Sequence, residues 1–216
     1  MVTPGIAGVD RDQAAESQLW FDRALRDSPV MAILRGHGPE RTVDLARRAW
    51  SAGIDLIEVP LQSATDLESL RAVCALAAEN GHSVGAGTVI THEQVDAARR
   101  AGASFIVSPG LDADIVRAGL AAGLHPLPGV ATATEIQQAV ALGLRWLKAF
   151  PATGLGTAWF QAMRGPFPRI SLVAVGGVDA VNADGFFAAG ADAIAVGSAL
   201  ADPSQLERLA EYVRST

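Results

Sequence analysis

Ala52-Gly53-Ile54-Asp55-Leu56-Ile57-Glu58-Val59 carries an alanine-rich helical pattern through a small-residue turn into a short apolar strand, and the arrangement recurs along the chain. Ala101-Gly102 precedes Ser104-Phe105-Ile106-Val107, and Ala189-Gly190 precedes Asp192-Ala193-Ile194-Ala195-Val196. Weaker copies are Leu142-Gly143 before Trp146-Leu147-Lys148 and Ala122-Gly123 before His125-Pro126-Leu127. A glycine just past a helix turns the chain out of it, so each copy reads as a helix end followed by a strand. Strands alternating with helices imply βαβ units and a parallel sheet. Adding Val30–Leu34, Ser83–Ala86 and Ser171–Val175 makes eight such strands. Eight βα units that close on themselves form a TIM (β/α)8 barrel of the α/β class.

The rest of the chain fits around that barrel. Its 216 residues, half of them hydrophobic, can bury one sizeable core, which predicts a single domain over 1–216. An amphipathic run around Glu16–Leu25 predicts an extra N-terminal helix, about residues 13–27, covering the barrel bottom. The net charge of −6 argues against a nucleic-acid or anionic-membrane surface, since both need clustered Lys and Arg. No apolar stretch is long enough to span a bilayer, and the first residues lack the basic and apolar segments of a signal peptide, so a cytoplasmic protein is expected. The single cysteine, Cys74, sits in a helical pattern and reads as a core residue. Four scattered histidines give no metal-ligand spacing.

Lys148 is the only lysine; every other basic residue is arginine. It lies inside Arg145-Trp146-Leu147-Lys148-Ala149-Phe150, where it either snorkels to solvent or acts as a desolvated amine. Burial disfavours the charged form, and a neutral amine attacks carbonyls to give Schiff bases. In a TIM barrel, active sites lie at the C-terminal ends of the strands. Alternation puts Leu56, Glu58 and Pro60 on one face of the second strand, and Trp146, Lys148 and Phe150 on one face of the sixth. Both charged groups therefore point into the barrel mouth. They read either as a buried ion pair or as a Schiff-base nucleophile, Lys148, with Glu58 as the general acid/base. Anionic Glu58 would raise the Lys148 pKa, whereas desolvation and Arg35 would lower it.

Gly176-Gly177 and Gly197-Ser198 end strands seven and eight, where such barrels recurrently bind phosphate. Thr88 and Ser108 read either as ligands of a small carboxylate or as caps of the following helices. Met31, Trp50, Trp159 and Met163 read as packing residues. A metal-dependent pyruvate aldolase would need a second carboxylate at the strand ends, where only Glu58 stands. A phosphate-binding isomerase or epimerase, or a binding module of the same fold, remains open on these residues.

Arg35-Gly36, Ile57-Glu58-Val59-Pro60-Leu61, Gly85-Ala86-Gly87-Thr88-Val89, Ser108-Pro109-Gly110, Pro128-Gly129, Leu147-Lys148-Ala149-Phe150-Pro151-Ala152 and Gly176-Gly177-Val178 resemble, in order, the motifs of class I aldolases of 2-keto-3-deoxy-6-phospho sugar acids. The resemblance spans nearly the whole chain after residue 28. It implies cleavage of a phosphorylated keto-deoxy sugar acid to pyruvate and D-glyceraldehyde 3-phosphate, with no metal or cofactor, by a homotrimer; a 4-hydroxy-2-oxoglutarate-type pyruvate aldolase is a related alternative. It assigns Lys148 as the Schiff-base lysine and Glu58 as the acid/base. Thr88, Arg35 and Pro109 fall to the pyruvyl end, Phe150 to the pocket wall, and Gly176, Gly177, Gly197 and Ser198 to the phosphate. Gluconate-type members often carry Glu-Val-Thr-Leu-Arg-Thr on the second strand. Here the run is Glu58-Val59-Pro60-Leu61-Gln62-Ser63, and with Ala131-Thr132-Ala133-Thr134-Glu135 it is more similar to the galactonate-type branch, Gln62 standing where an arginine would meet substrate.

Overall fold

The computed structural model describes residues 10–26, 28–197 and 202–214. The chain runs α1 (Arg11–Ala24), β1 (Val30–Ile33), α2 (Pro39–Ser51), β2 (Leu56–Pro60), α3 (Ala64–Asn80), β3 (Ser83–Gly87), α4 (His92–Ala101), β4 (Phe105–Val107) and α5 (Ala113–Ala121). It continues β5 (His125–Leu127), β6 (Gly129–Val130), α6 (Ala133–Ala141), β7 (Trp146–Ala149), α7 (Ala152–Leu155), α8 (Thr157–Arg164), β8 (Ser171–Val175), α9 (Ala183–Ala188), β9 (Ala193–Val196) and α10 (Pro203–Arg214).

Capping side chains set several helix starts. Ser63 begins α3 and Asp112 begins α5, while Thr91 with Gln94 and Thr132 with Glu135 form reciprocal capping boxes on α4 and α6. Thr88 and Ser108 therefore cap neither of the helices that follow them. At the far end of α4, Gly102 takes the left-handed conformation, φ 88°, that the Ala-Gly repeat predicts.

All strand pairs are parallel, in the order β5-β4-β3-β2-β1-β9-β8-β7-β6. The two outer members are halves of one strand split at Pro128, which has no N–H to give to a ladder. β5 pairs with β4 and β6 with β7, so the sheet closes into an eight-stranded barrel. The sequence expectation of one fifth strand is thereby refined. Pro128 still serves the ladder through its carbonyl, which accepts the Lys148 N–H at 2.9 Å.

Alternation divides the buried residues into two clusters. Ile57, Val59, Leu147 and Ala149 face the helices. Met31, Leu56, Phe105, Val107, Leu127, Trp146, Val173, Val175, Ala193 and Ala195 fill the interior. Phe105 fits because β3 carries Gly85 beside it: a Cβ there would stand 2.3 Å from its ring. Fully burying such a ring stabilises the fold by about 1.5–3 kcal/mol.

At the end where the strands begin, Phe21 of α1 and its C-cap residue Leu25 join the interior cluster. Gln18 Oε1 accepts the N–H groups of Arg145 and Trp146, both at 2.8 Å, and Asp22 accepts Trp146 Nε1 at 2.9 Å and pairs with Arg145. Trp20 stacks on His125, ring centroids 4.6 Å apart. The helix starts earlier than the hydrophobic pattern indicates, because the Asp10 carboxylate accepts the Asp12 N–H and fixes its first turn. It closes at Ala24, before the expected end. Among the described residues no helix is long and apolar enough to cross a membrane.

Candidate active site

The opposite end of the barrel holds two buried charged residues, Glu58 and Lys148. Glu58 on β2 pairs in register with Ile33 and Gly85, and Lys148 on β7 with Gly129 and Val173. Each lies two residues beyond an interior-cluster member, Leu56 and Trp146 respectively. Alternation therefore turns both inward, one layer above the apolar filling. Glu58 has 0% and Lys148 5% exposure, so neither head snorkels into open solvent.

Two glycines make room for this arrangement. A Cβ on Gly87 would stand 2.0 Å from Glu58 Oε1, and one on Gly129 would stand 2.1 Å from the Pro109 carbonyl oxygen. The first leaves the carboxylate its space. The second lets the turn after β4 close against β6, where the Gly129 N–H donates to the Gly110 carbonyl at 3.3 Å.

Among the described residues neither carboxylate oxygen of Glu58 has a hydrogen-bond partner. Burial raises its pKa above the ordinary carboxylate value, against the lowering pull of Lys148 and Arg35. Burial likewise lowers the pKa of Lys148; Glu58 opposes that shift and Arg35 adds to it. The opposition seen in the sequence is thus resolved in favour of desolvation at both groups, which favours neutral amine and neutral acid. Such a pair can exchange protons with a bound carbonyl compound and its adducts. Lys148 Nζ also lies 4.8 Å from the centroid of the half-buried Phe150 ring, which walls one side of the amine. The Phe150–Pro151 bond that follows is cis.

Around this pair, Arg35 is exposed just past the end of β1. Thr88 is half-buried and is the one non-glycine residue with positive φ, 56°, among the described residues. That conformation costs about 1–2 kcal/mol for a residue with a Cβ. It is held from both sides: the Gly87 carbonyl accepts the Leu61 N–H at 2.8 Å, and the Val89 N–H donates to Val107 at 3.0 Å. Strain maintained in this way clusters at functional sites.

Pro109 is exposed at the rim. The Ser108 hydroxyl donates to the Gly110 carbonyl at 2.8 Å, so it holds its own turn. Gln62 is exposed just past β2, its backbone N–H held by Asp66 Oδ2 at 3.1 Å. Gly176 and Gly177 follow β8 with φ 100° and 75°, and Gly197 follows β9. Ser198 lies outside the described residues.

Other sequence candidates fall elsewhere. His82 stacks on Trp50 at 4.4 Å, beside a cleft of about 380 Å³ lined by Arg47, Ser51, Leu76 and Asn80, which includes none of the expected site residues. Cys74 is buried in α3, and burial pushes its thiol up to about 12. No group of three His, Cys, Asp or Glu residues that could hold a metal ion occurs among the described residues. The space-making role of Gly85, Gly87 and Gly129 is not apparent from strand patterning alone. The available signal is the spacing of Gly85 and Gly87 on the inward face of an otherwise apolar strand.

Comparison with known proteins matches residues 21–213 to the family of KDPG and KHG aldolases. The 2-dehydro-3-deoxy-6-phosphogalactonate aldolase of Escherichia coli K12 is 35% identical over 185 residues, which cover 85% of this chain and 90% of the relative. The 2-dehydro-3-deoxy-phosphogluconate aldolase of Treponema pallidum is 37% identical, over 73% of each chain. Among solved structures, the KDPG aldolase of Legionella pneumophila, with pyruvate captured as a covalent carbinolamine, superposes with a TM-score of 0.77 at 25% identity, covering 89% of this chain and 95% of that one.

Proposed function

This chain belongs to the KDPG and KHG aldolase family, and from that premise we propose how its barrel mouth carries out aldol cleavage. The enzyme is an aldehyde-lyase that splits a 2-keto-3-deoxy-6-phospho sugar acid into pyruvate and D-glyceraldehyde 3-phosphate. One observation carries the assignment of roles: the only lysine of the chain is buried at the C-terminal end of a barrel strand, facing a fully buried glutamate.

The neutral Lys148 amine attacks the C2 carbonyl, and the carbinolamine loses water to become an iminium. The iminium accepts the electron pair of the C3–C4 bond as the C4 hydroxyl gives up its proton. Release of the aldehyde leaves an enamine of pyruvate, which is protonated at C3 and hydrolysed from the lysine. Glu58 moves these protons, directly or through a water. Its raised pKa and the absence of a competing donor among the described residues support that role. The carbinolamine seen in the Legionella relative is the first adduct of this sequence.

Arg35, Thr88 and Pro109 take the pyruvyl carboxylate end, Phe150 forms the wall beside the iminium, and Gln62 meets the sugar chain. Gly176, Gly177, Gly197 and Ser198 hold the phosphate through backbone N–H groups and a hydroxyl. The protein works as a single barrel domain over 1–216 with the N-terminal helix closing its bottom. It assembles as a homotrimer in the cytoplasm and acts on the galactonate-type substrate at least as well as on the gluconate type. Lys148→Arg keeps the charge and loses the nucleophile, so activity should fall by orders of magnitude in a folded protein. Borohydride reduction in the presence of pyruvate tests the central step: a single reduced pyruvyl group on Lys148 is expected, and its absence there would overturn the mechanism.

A further inference from the structure

The carbonyls of both glycines in the Gly176-Gly177 turn are tied down, each by a different residue. The Gly176 carbonyl accepts the backbone N–H and the hydroxyl of Thr153, each at 3.2 Å. The Gly177 carbonyl accepts Asn182 Nδ2 at 2.9 Å. In a trans peptide the N–H points opposite to the carbonyl. Holding the Gly176 carbonyl toward Thr153 therefore turns the Gly177 N–H away from it, and holding the Gly177 carbonyl toward Asn182 does the same for the Val178 N–H. Neither N–H donates to another group among the described residues. Successive backbone N–H groups released by a turn in this way make a seat for an anion.

Thr153 belongs to α7, the short turn that directly follows the lysine-bearing strand and Pro151. Its hydroxyl packs close to the turn: a Cβ on Gly177 would stand 2.5 Å from Thr153 Oγ1. Asn182 caps the turn from the α9 side and is fixed there, its Oδ1 accepting the Asp179 N–H at 3.1 Å. A residue of α7 thus sets the orientation of a peptide after β8. That links the amine end of the site to its phosphate end.

We propose that Thr153 is a positioning residue for the substrate phosphate, acting through the Gly176-Gly177 peptide with Asn182 as its counterpart. This inference rests on the aldolase reading of the site. Thr153 is exposed, so removing its hydroxyl leaves the core intact. One hydrogen bond of this kind corresponds to about two- to tenfold in an equilibrium constant.

The test compares wild type, Thr153→Val and Thr153→Ser in the aldol-forming direction, with pyruvate and either D-glyceraldehyde 3-phosphate or unphosphorylated D-glyceraldehyde. In Thr153→Val the ratio of KM for the phosphorylated aldehyde to KM for the unphosphorylated one should rise about three- to tenfold, with kcat less affected, and Thr153→Ser should restore the wild-type ratio. An unchanged ratio, equal losses for both aldehydes, or failure of serine to rescue would each overturn the role of Thr153. Borohydride fixation of pyruvate to Lys148 in the wild-type enzyme separates the two levels. If fixation is absent, the aldolase reading itself falls; if it is present and the ratio in Thr153→Val is unchanged, only the assignment of Thr153 falls.

Discussion

A Cβ on Gly87 would lie 2.0 Å from Oε1 of Glu58 and 2.6 Å from its carboxyl carbon, so the glutamate occupies the space that any side chain at position 87 would need. Gly87 does not have positive φ, and its backbone can accept alanine. What must move in Gly87→Ala is the carboxylate. Overpacking of this kind costs about 1–3 kcal/mol. If Glu58 is the acid/base, kcat should fall by roughly 10²–10⁴, the range expected for losing a positioned proton-transfer group. Steady-state kinetics with circular dichroism check this, and Glu58→Gln should fall in the same range. A folded Gly87→Ala enzyme with kcat within threefold of wild type would mean that Glu58 is structural.

The two buried charges should also report on each other. Burial holds Lys148 below the usual lysine range, Glu58 pulls it back up and Arg35 pushes it further down. Attack on pyruvate needs the neutral amine, so the rate of borohydride-trappable adduct formation should rise with pH through the Lys148 pKa. Above the Glu58 pKa, Glu58→Gln removes the charge that raises the Lys148 pKa and should move the midpoint to lower pH. Arg35→Ala removes a charge that lowers it and should move the midpoint to higher pH. The midpoint at saturating pyruvate is the quantity to read, since both substitutions can also change the amplitude. Shifts in the same direction would contradict the electrostatic coupling.

At the barrel's other end, Asp22 ties α1 to the start of the strand that carries Lys148, through Trp146 Nε1 and Arg145. Asp22→Ala leaves a largely buried indole N–H without its acceptor, which should cost about 1–3 kcal/mol of stability. Denaturant midpoints measure this, with the m-value unchanged. Burial alone would raise the Asp22 pKa, but hydrogen bonds from Arg145 and Trp146 and the charges of Arg145 and Arg26 hold it below 3.8. Its contribution is therefore complete above the unfolded value and is lost as pH falls through the lower folded one. The stability gap between wild type and Asp22→Ala should narrow below pH 3.8. A gap that widens with acid would reject this account.

How much of this was legible beforehand depended on range. The barrel came from local signals, helix-ending glycines and short apolar strands, because each βα unit repeats the same local physics. Two-residue alternation alone turned Glu58 and Lys148 inward. Features that depend on contacts between distant segments were not legible. Gly87 is needed because of Glu58 on the neighbouring strand, Gly85 because of Phe105, and Thr153 acts on a peptide far along the chain. Thr88 and Ser108 show the converse failure. Each has the composition of a helix cap, yet the caps fall to Thr91 and Asp112, because the turn after each strand continues further before its helix begins. Pro128 divides the fifth strand while leaving its hydrophobic pattern intact, so the break leaves little trace in the pattern.

The preferred C4 epimer depends on which group meets the C4 hydroxyl. A site that pairs a buried hydroxyl rejects the epimer by leaving that partner unsatisfied. Among the galactonate-like features, Pro60, Gln62 and the Thr132-Ala133-Thr134 run, the Thr132 hydroxyl is already engaged, donating to Glu135 at 2.9 Å and accepting its N–H at 3.3 Å as the α6 cap. Gln62 remains. It lies two residues beyond the end of β2, and its backbone is anchored by Asp66. Its amide carries both a donor and an acceptor and has no side-chain hydrogen bond among the described residues. A neutral, adaptable group of this kind should favour the galactonate substrate modestly. The expected outcome is a kcat/KM for the galactonate epimer at least equal to that for the gluconate one, with Gln62→Ala moving the ratio by less than about tenfold, the scale of one hydrogen bond. Measured kcat/KM for both epimers decides it. A gluconate preference above about a hundredfold, about 2.7 kcal/mol of transition-state discrimination, would reject the galactonate assignment while leaving the aldolase chemistry of Lys148 standing.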